Sequence, residues 1–295
     1  MVENHKSSGK MSGILMALGA GISFAFGGTV SQIVGRKGFS VGQILFTQYL
    51  CGALILGLLV ALKFRENASK KDFRDLFLLG MVNAIPCYLY YLAIRLMSVA
   101  AGIAIQFQYV WLVVLIQSIA DKVLPKKWTI VSAVMVVIGS IFASGMADES
   151  ISGGNTISIT GVVCALACAL FYAIFLFGNG RVALNYNAVF RAFVEACGNF
   201  TAVMIVQLIS GDMAGFDFIG SIPGCLLLGL LMTVIPITFI AGASVQLSGG
   251  LVAILTSSQL PMAVIISHFL LGEPCTILMI IGSFIIIGAI ALAQR

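Results

Sequence analysis

Ten apolar stretches, each near twenty residues long, follow one another along this chain with only short polar or glycine-rich connections between them. They cover 12–34, 40–63, 73–95, 98–120, 128–147, 158–180, 187–210, 220–245, 249–270 and 276–294. A hydrocarbon core about 30 Å thick is crossed by roughly 20 helical residues. Backbone facing lipid must satisfy its hydrogen bonds within its own segment, so every stretch is expected to be a helix. Composition excludes a soluble alternative, since 60% of the 295 residues are hydrophobic and only 9% charged, against about 25% charged in soluble domains. The connections, such as 65–72, 121–127 and 272–274, are too short for an extra soluble domain. The expected fold class is an all-α polytopic membrane protein with ten transmembrane helices.

Basic residues orient such a chain, because Lys and Arg near span ends stay on the cytoplasmic side. With the N-terminus inside, twelve Lys and Arg fall on the cytoplasmic side. Arg36, Lys37 and Arg95 fall on the other, and Arg191 lies within a span, which accounts for all 16. Asp148, Glu149, Asp212, Asp217 and Glu273 fall outside. Both termini are therefore expected in the cytoplasm. The polar residues 1–11 read as a cytoplasmic tail and not as a cleavable signal. The seven cysteines lie almost entirely in apolar runs and read as small buried side chains, with no metal-ligand spacing and no disulfide framework. No basic cluster alternates with base-stacking aromatics, so no nucleic-acid partner is expected. Compact length and short termini point to a bacterial inner membrane.

The chain repeats internally. Small residues recur every fourth position at Gly13, Ala17, Gly21 and Ala25, and again at Gly161, Ala165, Ala169 and Ala173, 148 positions later. Such spacing lets helices approach closely. Pro86 in the third span has a counterpart in Pro236, 150 positions later, in the eighth. Each half holds five spans, an odd number, so the second half must sit upside down relative to the first. Two inverted five-helix repeats, 12–147 and 158–295, are expected, with a site near the midplane between them.

The second half reads Gln259-Leu-Pro261, then Leu270-Leu271-Gly272-Glu273-Pro274, then Gly282 and Gly288. This pattern resembles the EamA-type module of the drug/metabolite transporter superfamily. The resemblance implies a carrier built from two five-helix modules, in a superfamily whose members move amino acids, nucleotide sugars, quaternary amines and drugs. The first half departs from the pattern. Trp111 stands where the second half has Pro261, Asp121-Lys122 lies where Gly-Glu is expected, and Phe26-Gly27 replaces the Trp-Gly of many members. The spacing of Tyr109 and Trp111 is similar to that in aromatic amino-acid exporters of the superfamily.

Two places concentrate polar groups that a lipid-facing helix would avoid. The stretch 83–111 carries Tyr88, Tyr91, Gln106, Tyr109 and Trp111. Thr256 and Gln259 are the second-half counterparts of Gln106 and Tyr109. These residues are expected to wall a substrate cavity, aromatic on one side and hydroxyl-rich on the other. Mid-span Trp111 is expected to matter more for substrate binding than Trp128 at the cytoplasmic edge. In the seventh span Asn187, Arg191, Glu195 and Asn199 are spaced by four, about 400° of helix, and so form one stripe. Each charge costs about 2.5–3.5 kcal/mol at a helix centre, so the stripe should face the bundle interior. An internal Arg191–Glu195 ion pair is one reading. The other has Glu195 and Asn199 binding substrate, with Glu195 a candidate proton carrier and Arg191 tuning it. Pro86 and Pro236 are candidate hinges.

The leading expectation is a secondary transporter, with alternating access, of a small polar or amphipathic metabolite, first an amino acid or related amine. A quaternary-amine, drug or nucleoside-type carrier is the alternative. A membrane-embedded enzyme or a non-transporting membrane partner is the reading from another class. No phosphate-binding glycine loop and no His-Glu-x-x-His motif is present, so no enzyme activity, cofactor or metal is expected. The expected partners are a small-molecule substrate, the lipid bilayer and protons, with the chain acting as monomer or homodimer.

Overall fold

The computed structural model describes residues 2–152, 158–210 and 216–295, and these are all-helical or connecting turns. In chain order the helices are α1 (Val2–Gly35), α2 (Val41–Leu62), α3 (Lys70–Leu96), α4 (Val99–Gln106), α5 (Tyr109–Asp121), α6 (Lys127–Ala143), α7 (Met146–Ser152), α8 (Ile159–Asn179), α9 (Ala188–Ser210), α10 (Phe218–Leu228), a π-helical segment (Gly229–Val234), α11 (Ile235–Ser244), α12 (Gly249–Thr256), α13 (Gln259–Leu271) and α14 (Ile277–Leu292). Asp212 lies outside the described residues.

Among the described residues, eight helical stretches are long and apolar enough to cross a membrane: Lys10–Gly35, Val41–Leu62, Lys70–Leu96, Val99–Asp121, Ile159–Asn179, Ala188–Ser210, Phe218–Ser244 and Gly249–Leu271. The stretches 128–147 and 276–294 form shorter helices than expected, α6 of 17 residues and α14 of 16. At 1.5 Å per residue each reaches only about 25 Å. The left-handed Gly145 (φ 83°) separates α6 from the unexpected short helix α7. The segment read as an N-terminal tail is helical from Val2 and continuous with α1.

Two stretches that read as single helices, 98–120 and 249–270, are each broken in the middle. In both, a serine caps the first half-helix, with Ser98 Oγ accepting from Ala101 N at 3.1 Å and Ser248 Oγ from Leu251 N at 3.3 Å. At the breaks, Val110 N donates to Phe107 O and Leu260 N to Ser257 O, tightening one turn. Both stretches end on a left-handed residue, Lys122 (φ 54°) and Gly272 (φ 69°). Helix, break and terminus thus recur 150 positions apart. Gly272 is the glycine of the Leu-Leu-Gly-Glu motif, and its role is physical, because a helix commonly ends on a left-handed residue that glycine adopts without strain. Lys122 holds the same conformation at a cost of about 1–2 kcal/mol. In the eighth span Pro236 follows the π-helical segment, whose wider turn accommodates the missing N–H. Pro86 lies in the unbroken α3.

The small-residue stripes cross between the halves. α1 packs mainly on α11, α12 and α13, while α8 packs on α3, α4 and α5. A Cβ on Gly13 would stand 3.0 Å from Leu247 Cγ, and one on Gly161 2.7 Å from Met97 Cε. Leu247 and Met97 are themselves 150 positions apart. Ala17, Ala165, Ala169 and Ala173 are fully buried along these seams. The short helices α6 and α14 pack on each other with Gly139 and Gly282 at the crossing.

The closest approach joins α3 to α9. A methyl group on Gly80 would overlap the Glu195 carbonyl, and one on Gly198 would overlap the Phe77 carbonyl. Both clashes are with backbone, which cannot rotate away. Gly80→Ala is therefore expected to cost about 1–3 kcal/mol, read as a lower midpoint of thermal unfolding in detergent. An alanine variant that unfolds with the wild type would show that the helices have room to separate.

Candidate functional site

Arg191, Glu195 and Asn199 on α9 are fully buried, as the spacing of four predicts. Asn187 is different. It lies before the helix, exposed, and its Oδ1 accepts from Val189 N at 2.9 Å. The stripe therefore begins as a helix cap and becomes an interior polar row one turn later.

No direct Arg191–Glu195 ion pair occurs among the described residues, whose two salt bridges are Arg74–Asp75 and Arg181–Asp121. Asn179, the last residue of α8, lies between the two side chains. Arg191 Nη2 donates to Asn179 Oδ1 at 3.2 Å, and Asn179 Nδ2 donates to Glu195 Oε2 at 3.1 Å. Arg191 Nη2 also donates to the Asn179 carbonyl at 2.5 Å, and Nη1 to the Ala241 carbonyl on α11 at 2.7 Å. The guanidinium thus caps the C-terminal end of α8, where helix carbonyls lack partners and a cation is favoured. Asn199 Nδ2 donates to the Glu195 carbonyl at 3.1 Å, and Asn83 Nδ2 on α3 donates to Asn199 Oδ1 at 3.2 Å. The cluster ties α3, α8, α9 and α11 together. Within it, Glu195 Oε1 and Arg191 Nε are buried with no hydrogen-bond partner among the described residues. A buried acceptor left open in such a network can take a proton or a cationic group.

Sequence reasoning missed Asn179 and left Asn83 outside the site. Asn179 sits in Gly178-Asn179-Gly180, at the end of the sixth apolar stretch, 158–180. Its depth emerges only when α8 and α9 are laid antiparallel. A related arrangement recurs on α2. A Cβ on Gly229 would stand 3.0 Å from the Gln48 carbonyl, much as Gly80 abuts that of Glu195. Gln48 is buried, and its Nε2 reaches Thr233 Oγ1 at 3.5 Å.

The structure brings Tyr109 and Thr256 together across the two breaks, with hydroxyls 3.4 Å apart. Tyr109 is buried and meets the Tyr172 ring edge-on at 4.8 Å. The break beside Thr256 presses on α1, where Ser258 Oγ donates to the Leu18 carbonyl at 3.3 Å. Gln106 and Gln259 are half-buried near the same breaks. Tyr88 and Tyr91 lie apart from Tyr109, packed with Leu45, Tyr49, Ala84 and Val203 between α2, α3 and α9. Trp111 is not in the cavity wall that its mid-span depth suggested. It is 40% exposed, in one row with the exposed Leu115 and Ile119, and its Nε1 donates to Gln108 Oε1 at 2.9 Å. Trp128 is exposed to the same degree, at 41%.

Helix phase locates a cleft inside the bundle. On α8 the exposed row is Ile159, Val163, Leu166, Leu170 and Ile174. Tyr172, two residues from Leu170 and so about 200° around the helix, points inward and is partly buried. On α3, Cys87 and Tyr90 hold the same relation to the exposed Ile85 and Leu92. On α1, Phe24, Gly28 and Ser31 lie opposite Ile22, Phe26 and Ile33, and a Cβ on Gly28 would meet nothing within 4 Å. These inward faces are thus only partly buried. Tyr91 OH and Ser31 Oγ meet at 3.2 Å across the gap between α3 and α1.

Residues 11–145 match the family model described as the EamA-like transporter family. The match lies on the first half, whereas the residues that carried the resemblance lie in the second. No curated protein sequence matches the chain. Twenty-nine solved chains are similar in fold. One of them, described only as the crystal structure of a protein, aligns with a TM-score of 0.75 at 13% identity, over 98% of this chain and 96% of its own.

Proposed function

We propose that this chain, an EamA-like transporter in its first half, is a secondary transporter that moves a small polar or amphipathic metabolite by alternating access. The family's members are transporters and not enzymes, and the multiple apolar helices make the protein a multi-pass membrane protein. In this reading α6 and α14 also span the bilayer. The ten spans form two inverted five-helix repeats with both termini in the cytoplasm of a bacterial cell. The recurring broken helices and the exchanged glycine seams support it, since inverted repeats with discontinuous helices are a transporter architecture.

The observation that carries the reading is the cleft. Tyr90 and Tyr172 lie opposite the outward rows of their helices and are only partly buried, and Tyr109 and Thr256 meet next to Tyr172. A ring-lined space of this kind suits an amine or an amino acid with an apolar or aromatic side chain, because ring faces attract cations. Glu195 would carry the proton or the substrate's cationic charge when the bundle rearranges. Arg191 would act as a positioning residue through Asn179, and Pro86 and Pro236 would serve as hinges.

Counterflow in proteoliposomes tests this directly. Saturable exchange of labelled aromatic amino acids or amines is expected, with nucleosides competing poorly. Exchange of nucleosides alone would overturn the substrate class, and absence of counterflow for every metabolite class would overturn the carrier reading.

A further inference from the structure

A second site lies at one end of the bundle, away from the cleft. A cavity of about 350 Å³ opens among α1, α5, α12, the α5–α6 connection and the residues after α14. Lys10, Lys126 and Arg295 line it from three separate segments, together with Gln117, Gln246 and Trp128. Asp121 is the acidic side chain in its wall, and it is engaged by Arg181. No ion pair among the described residues involves Lys10, Lys126 or Arg295. Two backbone amides at the start of α12 are occupied, Leu251 N by Ser248 Oγ at 3.3 Å and Gly250 N by Gln117 Oε1 at 3.1 Å. The electropositive character of the cavity therefore rests on the three side chains.

The rim is unusual for an aqueous surface. Val123 is 65% exposed and Leu124 is 89% exposed, on the same connection as Lys126. Lys127 Nζ lies 6.0 Å over the Trp128 ring. Exposed aliphatic side chains beside lysines and a tryptophan belong at the boundary between headgroups and acyl chains. A free anion in water has no use for such a rim, whereas a lipid has both parts.

We propose that this cavity binds the phosphate-bearing headgroup of an anionic phospholipid, held by Lys10, Lys126 and Arg295, with Val123 and Leu124 against its acyl chains. The site stands independently of the transport reading. Basic pockets between transmembrane helices recognise anionic headgroups, and each Lys or Arg near the surface contributes roughly fivefold in affinity.

Trp128 reports on the site, because Trp111 is the other tryptophan of two and can be replaced by Phe. In the Trp111→Phe protein in bilayers, brominated phosphatidylglycerol is expected to quench Trp128 at much lower mole fraction than brominated phosphatidylcholine. Lys10→Gln with Lys126→Gln should remove most of that preference, roughly 25-fold for two cations. Equal quenching by the two lipids would overturn the proposal, as would a preference that survives the double substitution. Relief of quenching by millimolar inorganic phosphate would show an ion site in place of a lipid site. The substituted side chains are exposed, and the thermal midpoint of each variant confirms that it is folded.

Discussion

Replacing Glu195 with Gln is expected to reduce transport about 10- to 100-fold while leaving the protein folded. Glutamine keeps the length of the side chain, and its carbonyl can still accept from Asn179 Nδ2, the bond that Glu195 Oε2 makes at 3.1 Å. What is lost lies at Oε1, the buried oxygen that has no partner. There the charge is replaced by an amide that can neither take up a proton nor bind a cation strongly. A hydrogen bond to a charged group contributes about 1.5–3 kcal/mol, which sets the fold-change. Initial rates in proteoliposomes across a pH series, set beside thermal melts, separate the effects. Wild-type rates and wild-type pH dependence in the variant would remove Glu195 from the cycle and leave the cluster a structural one.

Arg191→Met is expected to act on the fold itself, lowering stability by about 3–5 kcal/mol. Methionine is similar in reach and apolar, so the loss is one of partners more than of volume. Without the guanidinium, the Asn179 and Ala241 carbonyls lose donors at 2.5 and 2.7 Å. The Asn179 side chain also loses the contact that orients it toward Glu195. Lower expression as a monodisperse protein and a lower unfolding midpoint are the readouts. Arg191→Lys should recover part of the stability, since an ammonium reaches one carbonyl but not two carbonyls and an amide from one planar group. A methionine variant as stable as wild type would contradict the capping role given to Arg191.

The class of fold was legible because the bilayer leaves so few options, and the apolar stretches located nearly every helix. The polar row on α9 was legible for a related reason, as a spacing of four fixes a common face without any knowledge of neighbours. The 150-residue offset matched Gln106 with Thr256 and Tyr109 with Gln259, but the contact of Tyr109 with Thr256 depends on how the two breaks pack. Trp111 was misread because mid-span depth says nothing about which face a residue occupies. Its row, Leu115 and Ile119, was apolar throughout and pointed outward. The breaks beside Phe107 and Ser257 carry no proline or glycine at 107–108 or 257–258, and only the packing of each break on its neighbours reveals them. The bridge through Asn179 depends on contact between two helices, which no spacing along one of them encodes. The same is true of the space between α1 and α3, bridged by the hydroxyls of Ser31 and Tyr91.

The exchanged seams have a consequence for how the protein is made. Gly13 N donates to Gln246 Oε1 at 3.1 Å, across 233 positions of sequence. At synthesis rates of roughly 5–20 residues per second, α1 enters the bilayer about 10–50 s before the helices it packs on exist. Its glycine face must meanwhile lie against lipid or a temporary neighbour. The α8 stripe finds Met97 and its surroundings already in place. Assembly is thus lopsided in time although the seams are alike in space, and the last steps of biogenesis close the first helix into the bundle. Substitutions along Gly13 and Gly21 are accordingly the ones whose damage would surface as degradation of a completed chain and not as a failure of early insertion.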